Sequence, residues 1–255
     1  MRYLFAKENL EILDQFAWSN TLVGLDFDGT LAPIVDDPAW AGMRTSTRRL
    51  LENVAALYPC AIISGRAQSD VRVRLRGLEL DALVGNHGLE PSSDSERCAK
   101  AVIKWLPVVE KRLGHLPGVM IENKTYSLAV HYRHSRRKKD AKRAILDCAK
   151  ELDGVRLIGG KLVVNLVPRG APHKGLALER LRDKLRCDTA IYVGDDETDE
   201  DVFMLGQPGR LLSIRVGAKA GSHAAYYLKD QLEIDPFLRL LAELRQARGR
   251  RAADK

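Results

Sequence analysis

Apolar and polar positions along this chain follow two rhythms. In one, short and almost wholly apolar runs alternate with stretches of helical spacing, the pattern of buried parallel strands joined by helices. The runs are Leu22-Val23-Gly24-Leu25, Cys60-Ala61-Ile62-Ile63, Ala82-Leu83-Val84-Gly85, Thr189-Ala190-Ile191-Tyr192-Val193 and Leu212-Ser213-Ile214-Arg215-Val216-Gly217. Helices are expected over residues 8–18, where Leu10, Ile12, Leu13, Phe16 and Ala17 share a face, and over 45–58, 67–76, 176–185 and from about 236 onward. Thr45 or Ser46 is the expected cap of the second.

Between residues 91 and 169 the rhythm changes. A helix over 99–113 precedes 119–124 and 127–133, which read as a strand pair or one long bent strand, and a very basic helix spans 135–152. Residues 155–158 and 161–167 then read as a hairpin turning at Gly159-Gly160. Strands paired locally around helices indicate a small α+β domain inserted into the larger α/β one.

The apolar runs end in chemistry. The first closes on Asp26-Phe27-Asp28-Gly29-Thr30. Strand residues two apart face the same side, so Asp26 and Asp28 can share one site at the carboxyl edge of the sheet, where open α/β sheets bind ligands. Crowded carboxylates call for a cation or a shared proton, and Mg²⁺ suits such a set of hard oxygens. One carboxylate could attack a phosphorus while the other handles protons. An acidic β-turn would read the same way in isolation. The second run closes on Ser64-Gly65-Arg66, which could bind a phosphoryl oxygen or make an ordinary strand-to-helix turn. His87 follows the third run as a possible pocket-lining group, and Lys174 beside Gly175 opens a helix where it could reach an anion. The fourth run ends in Asp195, Asp196, Glu197, Asp199, Glu200 and Asp201, six acids in a loop that is hard to place without a cation.

Composition changes this picture little. A chain of 255 residues, 45% hydrophobic, can bury a full core, and it lacks the roughly 18-residue apolar run of a membrane span. Its N-terminal residues are charged too early for a secretory signal. Cys60, Cys98, Cys148 and Cys187 are scattered without zinc spacing, which fits reduced thiols in the cytoplasm. The net charge of +7 concentrates in residues 133–143 and 245–255 without interleaved aromatics, which argues against nucleic acid and suits a phosphorylated metabolite.

Taken in order, Asp26-Phe27-Asp28-Gly29-Thr30, Ser64-Gly65-Arg66, Lys174-Gly175 and the acidic stretch from Gly194 resemble the haloacid dehalogenase (HAD) superfamily of phosphohydrolases. Glu122-Asn123-Lys124, Val130-His131-Tyr132-Arg133 and Lys161 to Pro168, with His87-Gly88-Leu89-Glu90 before and His173-Lys174-Gly175 after, look like trehalose-6-phosphate phosphatases. The resemblance implies a doubly wound parallel-sheet α/β core, residues 1–90 and 170–255, with an inserted α+β cap, residues 91–169. It implies Asp26 as nucleophile, Asp28 as acid and base, and Thr30, Ser64 and Lys174 as holders of phosphoryl oxygens. Mg²⁺ would sit on Asp26, the main-chain carbonyl of Asp28 and Asp195, supported by Asp196 and Asp199. Gly65, Arg66, His87, Glu122, Lys124, Arg133, Lys161 and Asn165 would meet the substrate. The substrate would be trehalose 6-phosphate and the enzyme a cytoplasmic monomer. The family has glutamate where Asn165 stands, and an amide offers hydrogen bonds but no charge, so another phosphorylated sugar is the alternative.

Overall fold

The computed structural model describes residues 1–90, 94–160 and 162–253. Strand β2 (Thr21–Leu25) is buried along its whole length because it runs through the middle of a seven-stranded sheet. Its companions are β1 (Arg2–Tyr3), β3 (Cys60–Ile63), β4 (Ala82–Val84), β9 (Thr189–Gly194), β10 (Leu211–Val216) and β11 (Tyr226–Leu228), in the order β1-β11-β10-β9-β2-β3-β4. Every pairing is parallel. Strand β1, at one edge, and β11 beside it escape the sequence pattern because they are too short to make an apolar run.

From β2 the chain steps outward through β3 and β4, then returns to β9 on the other side of β2. The order reverses there, and the crevice between the carboxyl ends of β2 and β9 is the place an α/β sheet offers a ligand. Helices α1 (Leu10–Trp18), α2 (Thr45–Ala55), α3 (Gln68–Arg74) and α8 (Ile234–Ala253) pack one face, around Val23, Leu25 and Phe237. Helices α6 (Lys174–Lys184) and α7 (Glu200–Phe203) cover the other, around Leu22, Leu178 and Tyr192. The cap of α2 is Arg44 rather than Thr45 or Ser46. The hydroxyls of Ser46 and Thr47 instead donate to Asp235 at the start of α8, at 2.7 and 2.5 Å.

The second rhythm is a second sheet, antiparallel, in which β5 (Met120–Asn123), β6 (Leu128–His131), β7 (Val155–Gly160) and β8 (Val163–Pro168) lie in the order β5-β6-β8-β7. Residues 119–133 are therefore a strand pair, with Thr125 at φ 69° in the turn between them. Helices α4 (Ser95–Leu113) and α5 (Lys138–Ala149) pack on this sheet through Val102, Trp105, Val109 and Ile145. The hairpin turn is not at Gly159-Gly160: both glycines belong to β7, pairing Val164 and Val163, and Leu162 takes the left-handed conformation at φ 62°. At Gly159 the chain instead passes close to the acidic segment after β9. A Cβ on Gly159 would lie 2.4 Å from Glu197 Oε2 of the α/β unit. Likewise, the expected acidic loop is partly helical, since Glu200 and Asp201 open α7.

Candidate active site

Alternation along β2 decides which way Asp26 points. Val23 and Leu25 join the core under α1, α2 and α8, while Leu22 joins the core under α6. Gly24 lies on the α6 side as well, and a Cβ there would meet Leu178 Cδ1 at 2.8 Å, so α6 comes in close. Continued to Asp26, the alternation aims its carboxylate at the start of α6. Lys174 Nζ stands there, 2.9 Å from Asp26 Oδ1 and 2.8 Å from Asp199 Oδ1. Lys174 is 1% exposed, Asp26 4% and Asp199 0%, so the three form a buried charged unit that only mutual pairing makes tolerable. Burial works against the lysine's charge, but Asp199 and Asp26 outweigh it and hold the ammonium well above its ordinary range. Tyr192 donates to the same Asp199 oxygen at 2.7 Å, and the main-chain N–H of Asp196 donates to the other at 2.8 Å.

Asp195 completes the carboxylate set. One oxygen from each of Asp26, Asp195 and Asp199 lies within 4.8 Å of the others. Burial, reinforced by Asp26 and Asp199, pushes Asp195 well above the carboxylate range. Burial drives Asp26 up to about 7 against the pull of Lys174. Asp195 Oδ1 is buried with no hydrogen-bond partner. These carboxylates are short of positive charge, and the all-oxygen donor set fits a hard divalent cation such as Mg²⁺. The other acids have cationic partners from other segments: Glu200 pairs Arg215 at 3.0 Å, Asp201 faces Arg156 at 3.6 Å and Glu197 faces Lys219 at 3.6 Å. The demand for a cation therefore rests on Asp26 and Asp195, with Asp196, raised by burial, beside them.

Asp28 lies at the cleft wall, where Arg66 Nε and Nη2 donate to its two oxygens at 2.5 and 2.7 Å. Arg66 Nη1 donates to Asp70 at 2.7 Å, and Arg74 holds the other Asp70 oxygen at 3.1 Å. Ser64 and Thr30 are wholly buried and do not line the cleft. Ser64 Oγ accepts from Arg66 N at 3.2 Å, whereas Thr30 Oγ1 has no partner.

The antiparallel sheet closes over this edge, leaving a cleft of about 540 Å³ lined by Asp26, Asp28, Lys174 and Asp195 below and Glu122, Lys124 and Asn165 above. Gly65, Arg66, His87 and Arg133 line it too, so most sequence-predicted positions come together; Lys161 lies outside the described residues. Lys124 Nζ donates to the Gly65 carbonyl at 3.2 Å, and Arg133 Nη1 donates to the Asp36 and Val35 carbonyls at 2.8 and 3.3 Å. Both residues tie the two sheets' domains together. Glu122 accepts from or shares a proton with His131 Nε2 at 2.8 Å, and that contact keeps its carboxyl below the usual range. His87, at φ 59° and 6% exposed, has no partner on either ring nitrogen. Burial, with Lys124 and Lys174 nearby, keeps it neutral. A wider groove of about 720 Å³ between α4 and residues 151–153 brings together no comparable chemistry.

Sequence reading misses Tyr192 and Arg215. Each sits inside an apolar strand run, and the only available signal is a polar group at the carboxyl end of a buried strand.

A model of trehalose-phosphatases matches residues 24–231. A trehalose-phosphate phosphatase of Mycobacterium ulcerans is 37% identical over 209 residues, 76% of this chain and 53% of the relative. A probable trehalose-phosphate phosphatase of Oryza sativa is 34% identical over 239 residues, 86% of this chain and 65% of the relative. The chain thus spans between half and two thirds of these curated relatives. The solved C-terminal domain of a C. albicans trehalose-6-phosphate phosphatase superposes with a TM-score of 0.78 at 24% identity, over 92% of this chain and 97% of that one. The parallel sheet with its antiparallel insert is the fold the motifs implied, and the chain belongs to the trehalose-phosphatase family.

Proposed function

We propose that this chain is a Mg²⁺-dependent phosphohydrolase that converts trehalose 6-phosphate to trehalose and phosphate through an aspartyl-phosphate on Asp26. The observation that carries the reading is Lys174 bridging Asp26 and Asp199 beside the charge-starved Asp195, at the sheet's switch point and beneath a closed insert. Lys174 occupies Asp26 Oδ1, which leaves Oδ2 to attack phosphorus. Asp28 protonates the departing sugar oxygen and later takes a proton from the water that splits the aspartyl-phosphate. For this, Arg66 must release at least one of the Asp28 oxygens it holds. Asp26, Asp195 and the Asp28 carbonyl, supported by Asp196 and Asp199, would hold a divalent cation, which when bound would supply positive charge to the transferring phosphoryl group. Lys174 holds the phosphoryl group together with Thr30 and Ser64, which are wholly buried behind the cleft and must be uncovered to reach it; the unpartnered Thr30 hydroxyl supports that role.

The insert, residues 91–169, acts as the cap that excludes water, and Gly65, Arg66, His87, Glu122, Lys124, Arg133, Lys161 and Asn165 meet the sugar phosphate. On this proposal the chain acts on a small-molecule sugar phosphate as a monomer. Four unpaired cysteines support a cytoplasmic location, and no described helix is long and apolar enough to cross a membrane. The test is phosphate release from a panel of sugar phosphates with and without Mg²⁺. Trehalose 6-phosphate should be the preferred substrate, and activity should vanish with EDTA; absence of any Mg²⁺-dependent release overturns the reading. A second reading, another phosphorylated sugar, rests on Asn165, which is 4% exposed and presents a neutral amide to the cleft.

A further inference from the structure

Arg215, the penultimate residue of β10, is the register partner of Gly194, the residue immediately before Asp195. It is 6% exposed. Its Nη2 donates to the Asp195 carbonyl, and its Nη1 donates to the Asp196 carbonyl at 3.1 Å and to Glu200 Oε1 at 3.0 Å. One planar guanidinium thus holds two consecutive peptide carbonyls and the first residue of α7. On the far side of the loop, the side chain of Asp199 accepts from Asp196 N while the Asp196 side chain caps the turn. The Asp195 carboxylate itself lies over Gly29, where a Cβ would come within 2.1 Å of its Oδ2. The loop is therefore clamped from its main chain while its free carboxylate lies on the Asp26 loop. Glu200 neutralises the guanidinium that does the clamping, and it also accepts from His223 N at 2.9 Å.

We propose that Arg215 is a positioning residue for the cation site, fixing the loop's main chain so that Asp195 faces Asp26. The proposal rests on the cation reading above and adds a residue that never touches the cation. Charge alone argues for the opposite effect. A guanidinium near a divalent cation repels it, so deleting Arg215 should tighten Mg²⁺ binding if Coulomb forces decide. If positioning decides, deletion loosens binding, because outer-shell contacts that orient ligands typically carry about 10–100-fold in affinity. The sign of the change separates the two.

The experiment is titration calorimetry of Mg²⁺ into EDTA-stripped, full-length protein, as wild type, Arg215→Met and Arg215→Lys, with folding checked by circular dichroism. Arg215→Met should raise the Mg²⁺ Kd about tenfold. Arg215→Lys keeps the charge but cannot fork across two carbonyls, and it should raise Kd by about threefold or more. In turnover assays with sugar phosphate, both variants should recover most of the wild-type kcat at saturating Mg²⁺, which a general packing defect would not allow. A folded variant with unchanged or tighter Mg²⁺ binding overturns the role of Arg215 alone. If Arg215→Met fails to fold, the Lys variant decides by the same criterion. Wild-type protein that binds no Mg²⁺ overturns the cation reading and this proposal with it.

Discussion

Arg66 holds both carboxylate oxygens of Asp28, through Nε at 2.5 Å and Nη2 at 2.7 Å, while its remaining arm is anchored on Asp70 at 2.7 Å. A bidentate fork of this kind is geometrically specific, and a lysine cannot reproduce it. It holds Asp28 at the cleft wall with both oxygens engaged, so the proton transfer proposed for Asp28 requires one of them to be released. Asp28→Asn should therefore lower turnover of the sugar phosphate by about 10²–10⁴-fold, the usual contribution of a positioned acid and base. An aryl phosphate has a leaving group that needs no proton. With it, the variant should show a burst of phenol release and then stall, because the aspartyl-phosphate lacks its base. Steady turnover of the aryl phosphate without a burst would remove Asp28 from the second step.

Asp26, the proposed nucleophile, carries an opposite pair of effects. Asp26→Asn should abolish turnover, since an amide is a poor nucleophile. It should also stabilise the metal-free protein, because burial already strains the charged form of Asp26. A rise in Tm of about 2–4 °C in EDTA corresponds to ~1 kcal/mol in a chain of this size. Activity within tenfold of wild type, or a lower Tm in EDTA, would contradict the assignment.

The same burial predicts a pH dependence. Without a cation, Asp26 holds its proton up to about 7, whereas an unperturbed aspartate loses it near 3.8. A raised folded value stabilises the native state fully below 3.8, and that contribution is lost as pH rises through about 7. Asp195 and Asp196 are raised as well and add the same sign. His87 is lowered and works oppositely, but only below its ordinary value of 6.5, where the unfolded chain takes a proton that the native state refuses. Asp70, Glu122 and Asp235 are lowered and act only in acid. Between pH 6.5 and 8 in EDTA, Tm should therefore fall, and Mg²⁺ should flatten that slope by replacing the proton. Thermal scans with and without Mg²⁺ measure this directly; parallel curves would show that no cation binds these carboxylates.

Much of this site is legible in the sequence because each group closes an apolar run. Asp26, Ser64, His87 and Asp195 follow β2, β3, β4 and β9 within two or three residues, and parallel strands bring such ends to one edge. Lys174 is legible as the opening of a helix. What pairing does across the fold is not legible. Six acids after β9 suggest a strong cation site, yet Arg215, Arg156 and Lys219 answer three of them from distant segments. Gly159-Gly160 reads locally as a turn, but both residues pair within β7, and Gly159 lies close to Glu197 from the parallel-sheet unit. Lys124 and Arg133 read as sugar ligands, yet both also bond main-chain carbonyls across the cleft, a contact no local pattern announces.

Arg133 illustrates the consequence. Its Nη1 bonds the Val35 and Asp36 carbonyls and faces the Asp36 carboxylate at 3.5 Å, so it latches the insert to the loop that follows Asp26 and Asp28. Arg133→Ala should then lower kcat/KM for the sugar phosphate by about tenfold, the weight of one charge-assisted hydrogen bond. It should also lower turnover of a small aryl phosphate, because a looser cap admits water regardless of substrate length. Loss on the sugar phosphate alone would return Arg133 to sugar recognition.

The identity of the sugar turns on Asn165. In the antiparallel sheet Glu122 pairs Ala129, and Ala129 pairs Asn165, so the three side chains stand in one row on one face. The small, wholly buried Ala129 separates a carboxylate on one side from an amide on the other. Lys124 also lines this cleft, and its burial, with Arg66 near, lowers its pKa below that of an exposed lysine. A second carboxylate at position 165 would repel Glu122 across Ala129 but would also offset the positive charge of Lys124 and Arg66. It would add a charged acceptor for sugar hydroxyls, worth about 1.5–3 kcal/mol against less for a neutral one. If trehalose 6-phosphate is the substrate and Asn165 a weaker acceptor, Asn165→Glu should keep or raise kcat/KM on it, by up to about tenfold. The measurement is kcat/KM of wild type and variant on trehalose 6-phosphate and on the other sugar phosphates that wild type accepts. A variant that loses most of its activity on the wild type's best substrate, while remaining folded and active on an aryl phosphate, would show that the amide is matched to a different sugar.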